Sequence, residues 1–141
     1  MPIAGALYER IVAAKIFIDE NYHEPIDLDQ ISQKAFLSRY HFHRLFSQIY
    51  KRTPHAYLTY KRIEKAKDLL SQNKQVTEVC NEVGFESLAS FSVLFKREIG
   101  FPPTYYRNMA WLKQQQAKEQ PKRFIPHCFI DSYGLDKSKN Q

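Results

Sequence analysis

One short segment of the chain concentrates side chains that can bond to bases or phosphates. Arg39, Tyr40, His43 and Arg44 are spaced so that all four share one face if the segment is helical. Arginine can bond bidentately to guanine O6 and N7, and tyrosine can contact a thymine methyl group or a phosphate. Each residue taken singly would equally fit a solvated surface, but together they favour a nucleic-acid-reading face.

The positive charge of the chain is concentrated around the same segment. Residues 34–67 carry a net charge of +8, whereas all 141 residues together carry +6. Residues 1–33 and 68–100 are net acidic, and residues 101–141 carry +4. This distribution favours an anionic partner, such as nucleic acid or an anionic membrane surface.

The elements that would position these side chains are helical. The chain has 4 glycines and lacks the alternating apolar and polar runs that are typical of strands. Apolar periodicity and capping residues predict seven helices, over about 7–21, 27–35, 39–50, 54–72, 76–83, 88–98 and 103–116. The expected fold class is therefore all-α.

Part of this helical pattern occurs twice. A shift of 49 positions aligns seven identical residues within the span 36–57. The pairs are Phe36 with Phe85, Ser38 with Ser87, Phe42 with Phe91, Leu45 with Leu94, Phe46 with Phe95, Pro54 with Pro103 and Tyr57 with Tyr106. A solenoid needs at least three repeats, so two helix-turn-helix units joined by the 54–72 helix explain the pattern better.

The two copies differ at the positions expected to face outward. The second copy has Leu88, Ala89, Ser92 and Val93 where the first has Arg39, Tyr40, His43 and Arg44. A helix-turn-helix inserts its second helix into the major groove of DNA, so we expect these eight residues to face bases. The first copy is expected to dominate base readout, because the second has few hydrogen-bonding side chains.

A second set of residues is expected to bind phosphates, because it places hydroxyl or cationic groups beside the reading helices. It comprises Ser38, Lys51, Arg62, Ser87, Lys96, Arg97 and Arg107. A helix over 54–72 would span about 28 Å, which is close to the ~34 Å between successive turns of the major groove. One chain could therefore engage two turns on one side of a duplex.

Several of these residues stand at the spacing of a known family. The segment 31–46, Gly84-Phe85, Phe95-Lys96, Pro102-Pro103 and Tyr106-Arg107 resemble the DNA-binding domain of AraC/XylS-type bacterial transcription regulators, over about residues 7–110. The resemblance implies two helix-turn-helix subdomains joined by a rigid linker helix. It also implies sequence-specific promoter binding, usually with activation through contact with RNA polymerase.

The sequence departs from stand-alone two-helix-turn-helix members of that family at two positions. Their first reading helix carries a tryptophan and an arginine, where this sequence has Tyr40 and Arg44. Their second reading helix usually carries an arginine, where this sequence has Val93. The second departure agrees with the asymmetry between the two copies.

The expected organisation has four parts. These are an N-terminal helix with the first helix-turn-helix (1–53), the linker helix (54–72), the second helix-turn-helix with a following helix (73–110) and a C-terminal extension (111–141). The extension carries an apolar cluster formed by Phe124, Ile125, Phe129, Ile130 and Tyr133, which would either dock on the core or mediate a dimer or ligand contact. We expect no separate effector-binding domain within these 141 residues.

Other function classes are disfavoured. The sequence has no glycine-rich phosphate loop, HExxH motif or nucleophile–histidine arrangement, so we expect no enzyme and no cofactor. Cys80 and Cys128 lie outside any metal-binding spacing, so no metal site is expected. Without a membrane-spanning run or export signal, the expected location is the cytoplasm, in association with the nucleoid.

Two functional hypotheses remain. The first is a transcription activator that binds double-stranded DNA and RNA polymerase, as a monomer or as a weak dimer formed through the C-terminal extension. The alternative is an adaptor that binds RNA polymerase or another regulator and has weak DNA affinity. The polar-poor second reading face favours this alternative slightly.

Overall fold

A computed structural model describes residues 3–119, which form seven helices and no strand. The helices are α1 (Gly5–Asn21), α2 (Leu28–Lys34), α3 (Arg39–Tyr50), α4 (Pro54–Ser71), α5 (Val76–Glu82), α6 (Leu88–Ile99) and α7 (Pro103–Glu119). The all-α prediction is confirmed. The apolar cluster between Phe124 and Tyr133 lies outside the described residues.

Side-chain caps fix where four of the helices begin. Asp27 Oδ1 accepts a hydrogen bond from the Gln30 backbone N–H at 2.9 Å, and Gln30 Oε1 accepts one from the Asp27 N–H at the same distance. This reciprocal pair satisfies two backbone donors at the start of α2. The side chains of Ser38, Thr53 and Ser87 cap α3, α4 and α6 in the same way, each through one hydrogen bond.

The helices enclose two separate hydrophobic cores. The first unit, α1–α3, buries Ile11, Ala14, Ile18, Ile31, Ala35, Phe42, Leu45 and Phe46, together with Leu58 from α4. The second unit, α4–α6, buries Ile63, Ala66, Leu69, Leu70, Val79, Cys80, Val83, Phe85, Phe91 and Phe95. Each unit therefore has its own apolar interior, and α4 contributes side chains to both.

The aromatic packing repeats from one unit to the other. In the first unit, the ring centroids of Phe42 and Phe46 are 5.5 Å apart, and Phe46 meets Tyr57 edge to face at 5.8 Å. In the second unit, Phe91 and Phe95 are 5.7 Å apart, and Phe95 meets Tyr106 edge to face at 5.5 Å. The shift of 49 positions thus describes real structural equivalence in α3 and α6.

Helix α4 belongs to both units. Its first half corresponds to the start of α7, because Pro54 and Tyr57 take the places of Pro103 and Tyr106 at the shift of 49. Its second half corresponds to α1 at a shift of 52, which aligns Arg62, Ile63 and Ala66 with Arg10, Ile11 and Ala14. The 18 residues of α4 span about 27 Å. The linker therefore serves as a core helix in both units.

One of the seven identities is not a structural equivalence. Phe36 lies in the α2–α3 turn with a φ of 56° and is 81% exposed, whereas Phe85 is 8% exposed in the second core. The α5–α6 turn is one residue longer than the α2–α3 turn, so Gly84, with a φ of 98°, occupies the left-handed position of Phe36. The half-buried Leu37 packs on the first core, as Phe85 does in the second.

Helix α7 continues beyond residue 111, which the sequence analysis takes as the start of the C-terminal extension, as far as Glu119, the last residue that the structure describes. Within this added stretch, the Gln114 side-chain amide donates to the Ser71 carbonyl at 2.6 Å. Residues 111–119 therefore belong to a helix that packs on the second unit.

A polar contact joins α1 to α4 beside the first core. The Tyr57 hydroxyl donates to Asp19 Oδ1 at 2.6 Å, and Lys15 Nζ lies 2.8 Å from Asp19 Oδ2. Burial alone would raise the pKa of the Asp19 carboxyl, but the hydrogen bonds from Lys15 and Tyr57 outweigh burial and lower that pKa. Burial, followed by the bond to Asp19, raises the pKa of Tyr57.

The Tyr57→Phe variant should therefore be less stable than the wild type, in a pH-dependent way. We expect the free energy of unfolding to fall by about 1–2 kcal/mol at pH 7, because a charge-assisted hydrogen bond is lost. The difference should shrink as the pH falls below the ordinary Asp pKa of about 4 and towards the lower pKa of Asp19 in the folded protein, because the carboxylate then takes up a proton. Urea denaturation at several pH values measures this, with the exposed Tyr8→Phe as a control. An unchanged difference at low pH would contradict it.

Candidate nucleic-acid interface

Helix α3 presents its polar residues on the side opposite the first core. Phe42, Leu45 and Phe46 are buried, while Arg39, Tyr40, His43 and Arg44 are exposed. Tyr40 is 78% exposed although it is a large aromatic side chain. A helix face of this kind, with one aromatic ring and two arginines in water, is equipped to bind the edges and backbone of a duplex.

Arg39 has a partner on the preceding helix. Its Nε lies 3.2 Å from Asp29 Oδ1 of α2, and both side chains are more than half exposed. An exposed ion pair contributes only about 0–1 kcal/mol, so a phosphate or a base could displace the carboxylate. Asp29 would therefore be a weak competitor for any anion that binds Arg39.

The corresponding face of α6 is apolar. Leu88, Ala89 and Val93 are exposed, Val93 by 67%, and Ser92 is half-buried. This face can contact thymine methyl groups, but it offers a single hydroxyl as a hydrogen-bonding group. The structure thus retains the contrast between the two reading faces that the sequence predicts.

Both reading helices begin with a serine that caps the helix. Ser38 Oγ accepts from the His41 N–H at 3.2 Å, and Ser87 Oγ accepts from the Ser90 N–H at 3.1 Å. Each hydroxyl still has its own proton, which it can donate to a phosphate oxygen. A helix N-terminus also carries a partial positive charge that favours an anion there.

Three expected phosphate-binding cations are exposed. Lys51 ends α3 in a left-handed conformation with a φ of 61°. Lys96 and Arg97 lie in the last turn of α6, and Arg97 Nε is 3.3 Å from Glu98 Oε2. All three side chains reach solvent, so their assignment to phosphates stays a prediction.

Arg62 has a different position from the one we expected. Its Nε donates to the Tyr22 carbonyl at 2.6 Å, and Nη2 donates to the Glu24 carbonyl at 2.9 Å. The guanidinium also lies over the Phe85 ring, 5.7 Å from the centroid. Burial lowers the pKa of Arg62, and the nearby Glu86 carboxylate opposes this effect. These contacts disfavour the expected phosphate role of Arg62, because two carbonyls take two of its five N–H donors and hold the guanidinium against the α1–α2 loop; that role stays a prediction.

Arg107 is only partly available. Its Nη2 donates to the Asn73 carbonyl at 3.2 Å, and its Nε is buried without a hydrogen-bond partner in the described part of the chain. Asn73 has a φ of 66° and lies in the α4–α5 loop. Arg107 therefore connects α7 to that loop, and its role at phosphates stays a prediction.

Of two residues that position the reading helices, the sequence analysis missed Arg10 and named Gly84 only as part of the Gly84-Phe85 motif. Arg10 donates from Nε to the Ala35 carbonyl at 2.7 Å and from Nη2 to the Phe36 carbonyl, which holds the α2–α3 turn. Gly84 supplies the left-handed turn between α5 and α6. The alignment of Arg10 with Arg62 at a shift of 52 was the available signal for the first of these residues.

The described residues contain neither a candidate metal-binding group nor a candidate membrane-spanning helix. Between residues 3 and 119, no three or more His, Cys, Asp or Glu side chains are grouped so that they could hold a metal ion. None of the seven helices has the length and apolarity needed to cross a bilayer.

The chain has two helix-turn-helix units, each with an exposed face on its second helix, and this architecture is typical of DNA-binding proteins. A family model described as a helix-turn-helix domain matches residues 31–109, more than half of the chain. Together with the relatives and solved structures below, this match shows that the chain belongs to the AraC-type helix-turn-helix family of DNA-binding transcription regulators.

Two curated relatives illustrate the match. The HTH-type transcriptional activator AarP of Providencia stuartii is 32% identical over 93 residues, which are 65% of this chain and 69% of AarP. The raffinose operon transcriptional regulatory protein RafR of Pediococcus pentosaceus is 34% identical over 100 residues, 70% of this chain and 36% of RafR. The chain spans about a third of the length of several curated relatives.

Solved structures share the fold. The DNA-binding domain of the global transcriptional factor AdpA, solved with a target DNA, has a TM-score of 0.67 and 26% identity, covering 79% of this chain and 96% of that one. An AraC-type transcriptional regulator from Chromobacterium violaceum also has a TM-score of 0.67 and 26% identity, covering 73% of this chain and 93% of that one.

Removing the competitor of Arg39 should strengthen DNA binding. We expect Asp29→Asn to raise the affinity for duplex DNA about two- to fivefold at low salt, with the effect fading at high salt. Fluorescence anisotropy with a labelled duplex measures the affinity. Glu20→Gln makes the same change of charge on α1 and serves as the control. Equal gains from both variants would show that net charge, and not the release of Arg39, is responsible.

Proposed function

We propose that this protein regulates transcription by binding promoter DNA with sequence preference, and that α3 makes most of the base contacts. The observation that carries the proposal is the exposed face of α3, where Arg39, Tyr40, His43 and Arg44 stand free of the first core. Helix α6 then adds apolar contacts and phosphate contacts in a neighbouring groove. The binding site would be asymmetric, because its two halves are read by unlike surfaces.

The dimensions of α4 support engagement of two grooves by one chain. The helix spans about 27 Å, compared with the ~34 Å between successive major-groove turns. Because α4 is packed into the cores of both units, it holds the two reading helices at a fixed distance from each other. A monomer could accordingly contact two turns of the duplex without a second copy.

Activation through RNA polymerase is the further part of the proposal. The relative AarP is named as a transcriptional activator, which favours activation over repression. An activator bound beside a promoter must touch the polymerase with a surface that DNA does not cover. Stimulation of transcription from a target promoter in a purified system tests this part separately from DNA binding.

One arginine substitution and one lysine substitution should distinguish base reading from phosphate binding. Arg44→Ala should cost about 1–3 kcal/mol of binding free energy and relax the preference at one or two base pairs. Lys96→Ala should weaken binding to all sequences alike and reduce the slope of log affinity against log salt by about 1. Sequencing of duplexes bound from a random pool gives the preferences, and anisotropy titrations give the slopes.

The same titrations distinguish the proposal from the adaptor hypothesis. If the wild type shows a salt slope that matches several phosphate contacts, and a sequence motif emerges from the pool, the DNA-binding proposal stands. If neither appears, the adaptor hypothesis gains. Identical behaviour of Arg44→Ala and Lys96→Ala would contradict the division of roles on which the proposal depends.

A further inference from the structure

The loop that connects α1 to α2 makes a contact between the two units. This loop comprises residues 22–27, six in all, whereas the equivalent α4–α5 loop has the four residues 72–75. The backbone of the longer loop faces the turn between α5 and α6. The two units therefore meet at a second place besides the shared helix α4.

Gly84 is the point of closest approach. A Cβ atom at this position would lie 3.0 Å from the carbonyl oxygens of both Tyr22 and His23. Such a distance is shorter than ordinary van der Waals contact, and both neighbours are backbone atoms. The φ of 98° independently disfavours any side chain. The turn thus favours a glycine, and the close contact between the units requires one.

Arg62 closes the same contact from α4. It donates to the carbonyls of Tyr22 and Glu24, on either side of His23, and the Tyr22 carbonyl is one of the two that approach Gly84. Its guanidinium lies over the Phe85 ring. Arg62, loop residues 22–24 and Gly84 are called the interunit clamp below. The clamp ties the first unit to the turn that precedes the second reading helix.

The pseudo-equivalent arginine shows that this arrangement is specific to the second unit. Arg10 occupies the position of Arg62 at the shift of 52, and it bonds to the carbonyls of Ala35 and Phe36 in its own unit. Arg62 instead donates to carbonyls of the other unit. The same residue at the same place in the repeat therefore stabilises a turn in one unit and a contact between units in the other.

We propose that the interunit clamp fixes the relative orientation of the two reading helices, and thereby the spacing between the two parts of the DNA site. Arg62 and Gly84 act as positioning residues that do not touch DNA. The spacing part of this inference rests on the proposed function, whereas the orientation part can be tested on the free protein.

Distances between spin labels test the orientation without DNA. Gln33→Cys in α2 and Thr77→Cys in α5 place labels at exposed positions, one in each unit. Cys128 is replaced by serine, and Cys80 stays because it is buried and burial raises the pKa of its thiol. We expect one narrow distance distribution for this background, and a distribution at least about twice as wide after Arg62→Met or Gly84→Ala.

Arg10→Met is the matched control, because it removes an arginine with two carbonyl partners inside one unit. It should lower the melting temperature and keep the narrow distribution. Thermal melts show which variants are folded, and Arg62→Lys replaces Arg62→Met if the latter unfolds. Equal widths for the background and for both the Arg62 and Gly84 variants would overturn the proposal.

Duplexes with altered spacing test the consequence for DNA. The site selected by the wild type from a random pool is remade with one base pair inserted between its two parts. We expect the insertion to weaken the wild type at least about tenfold and the folded Arg62 variant about threefold or less. Equal penalties would overturn the spacing role. If the wild type selects no site, the proposed function fails, while the label distances still decide the clamp.

Discussion

The structure depends on one helix that is part of two hydrophobic cores. Leu58 in the first half of α4 is buried in the first unit, and Ile63, Ala66 and Leu70 in the second half are buried in the second. Neither unit can lose α4 without exposing apolar surface, at a cost of about 25 cal/mol for each Å². The separation of the two units is therefore fixed by the same burial that makes each of them stable.

The two units share a core architecture but present different surfaces. Their cores repeat almost residue by residue, because the packing of Phe42 on Phe46 and of Phe91 on Phe95 tolerates little change. Their outward faces are free of that constraint and differ completely: α3 is cationic and aromatic, and α6 is apolar. An apolar helix face makes few directional contacts with DNA. In the arrangement that we propose, the interunit clamp therefore sets the orientation of α6 relative to the first unit.

Much of the fold could be predicted because helix signals are local. Caps such as Ser38 and Thr53, the apolar periodicity and Pro54 at a first helical position lie within a few residues of the features that they specify. The exposed reading face of α3 followed from the same periodicity. The alignment with a shift of 49 is wrong at the turn before each reading helix, because the α5–α6 turn has one additional residue. Phe36 is therefore exposed, whereas Phe85 is buried.

The sequence by itself determined the seven helices, their buried faces and the cationic character of the first reading face. These properties depend on near neighbours along the chain. Only the tertiary structure decided how Arg62 is used, because its partners at Tyr22 and Glu24 are about forty residues away along the chain. A guanidinium can bond to a phosphate or to two carbonyls, and only the packing of the α1–α2 loop against Gly84 brings those carbonyls within its reach.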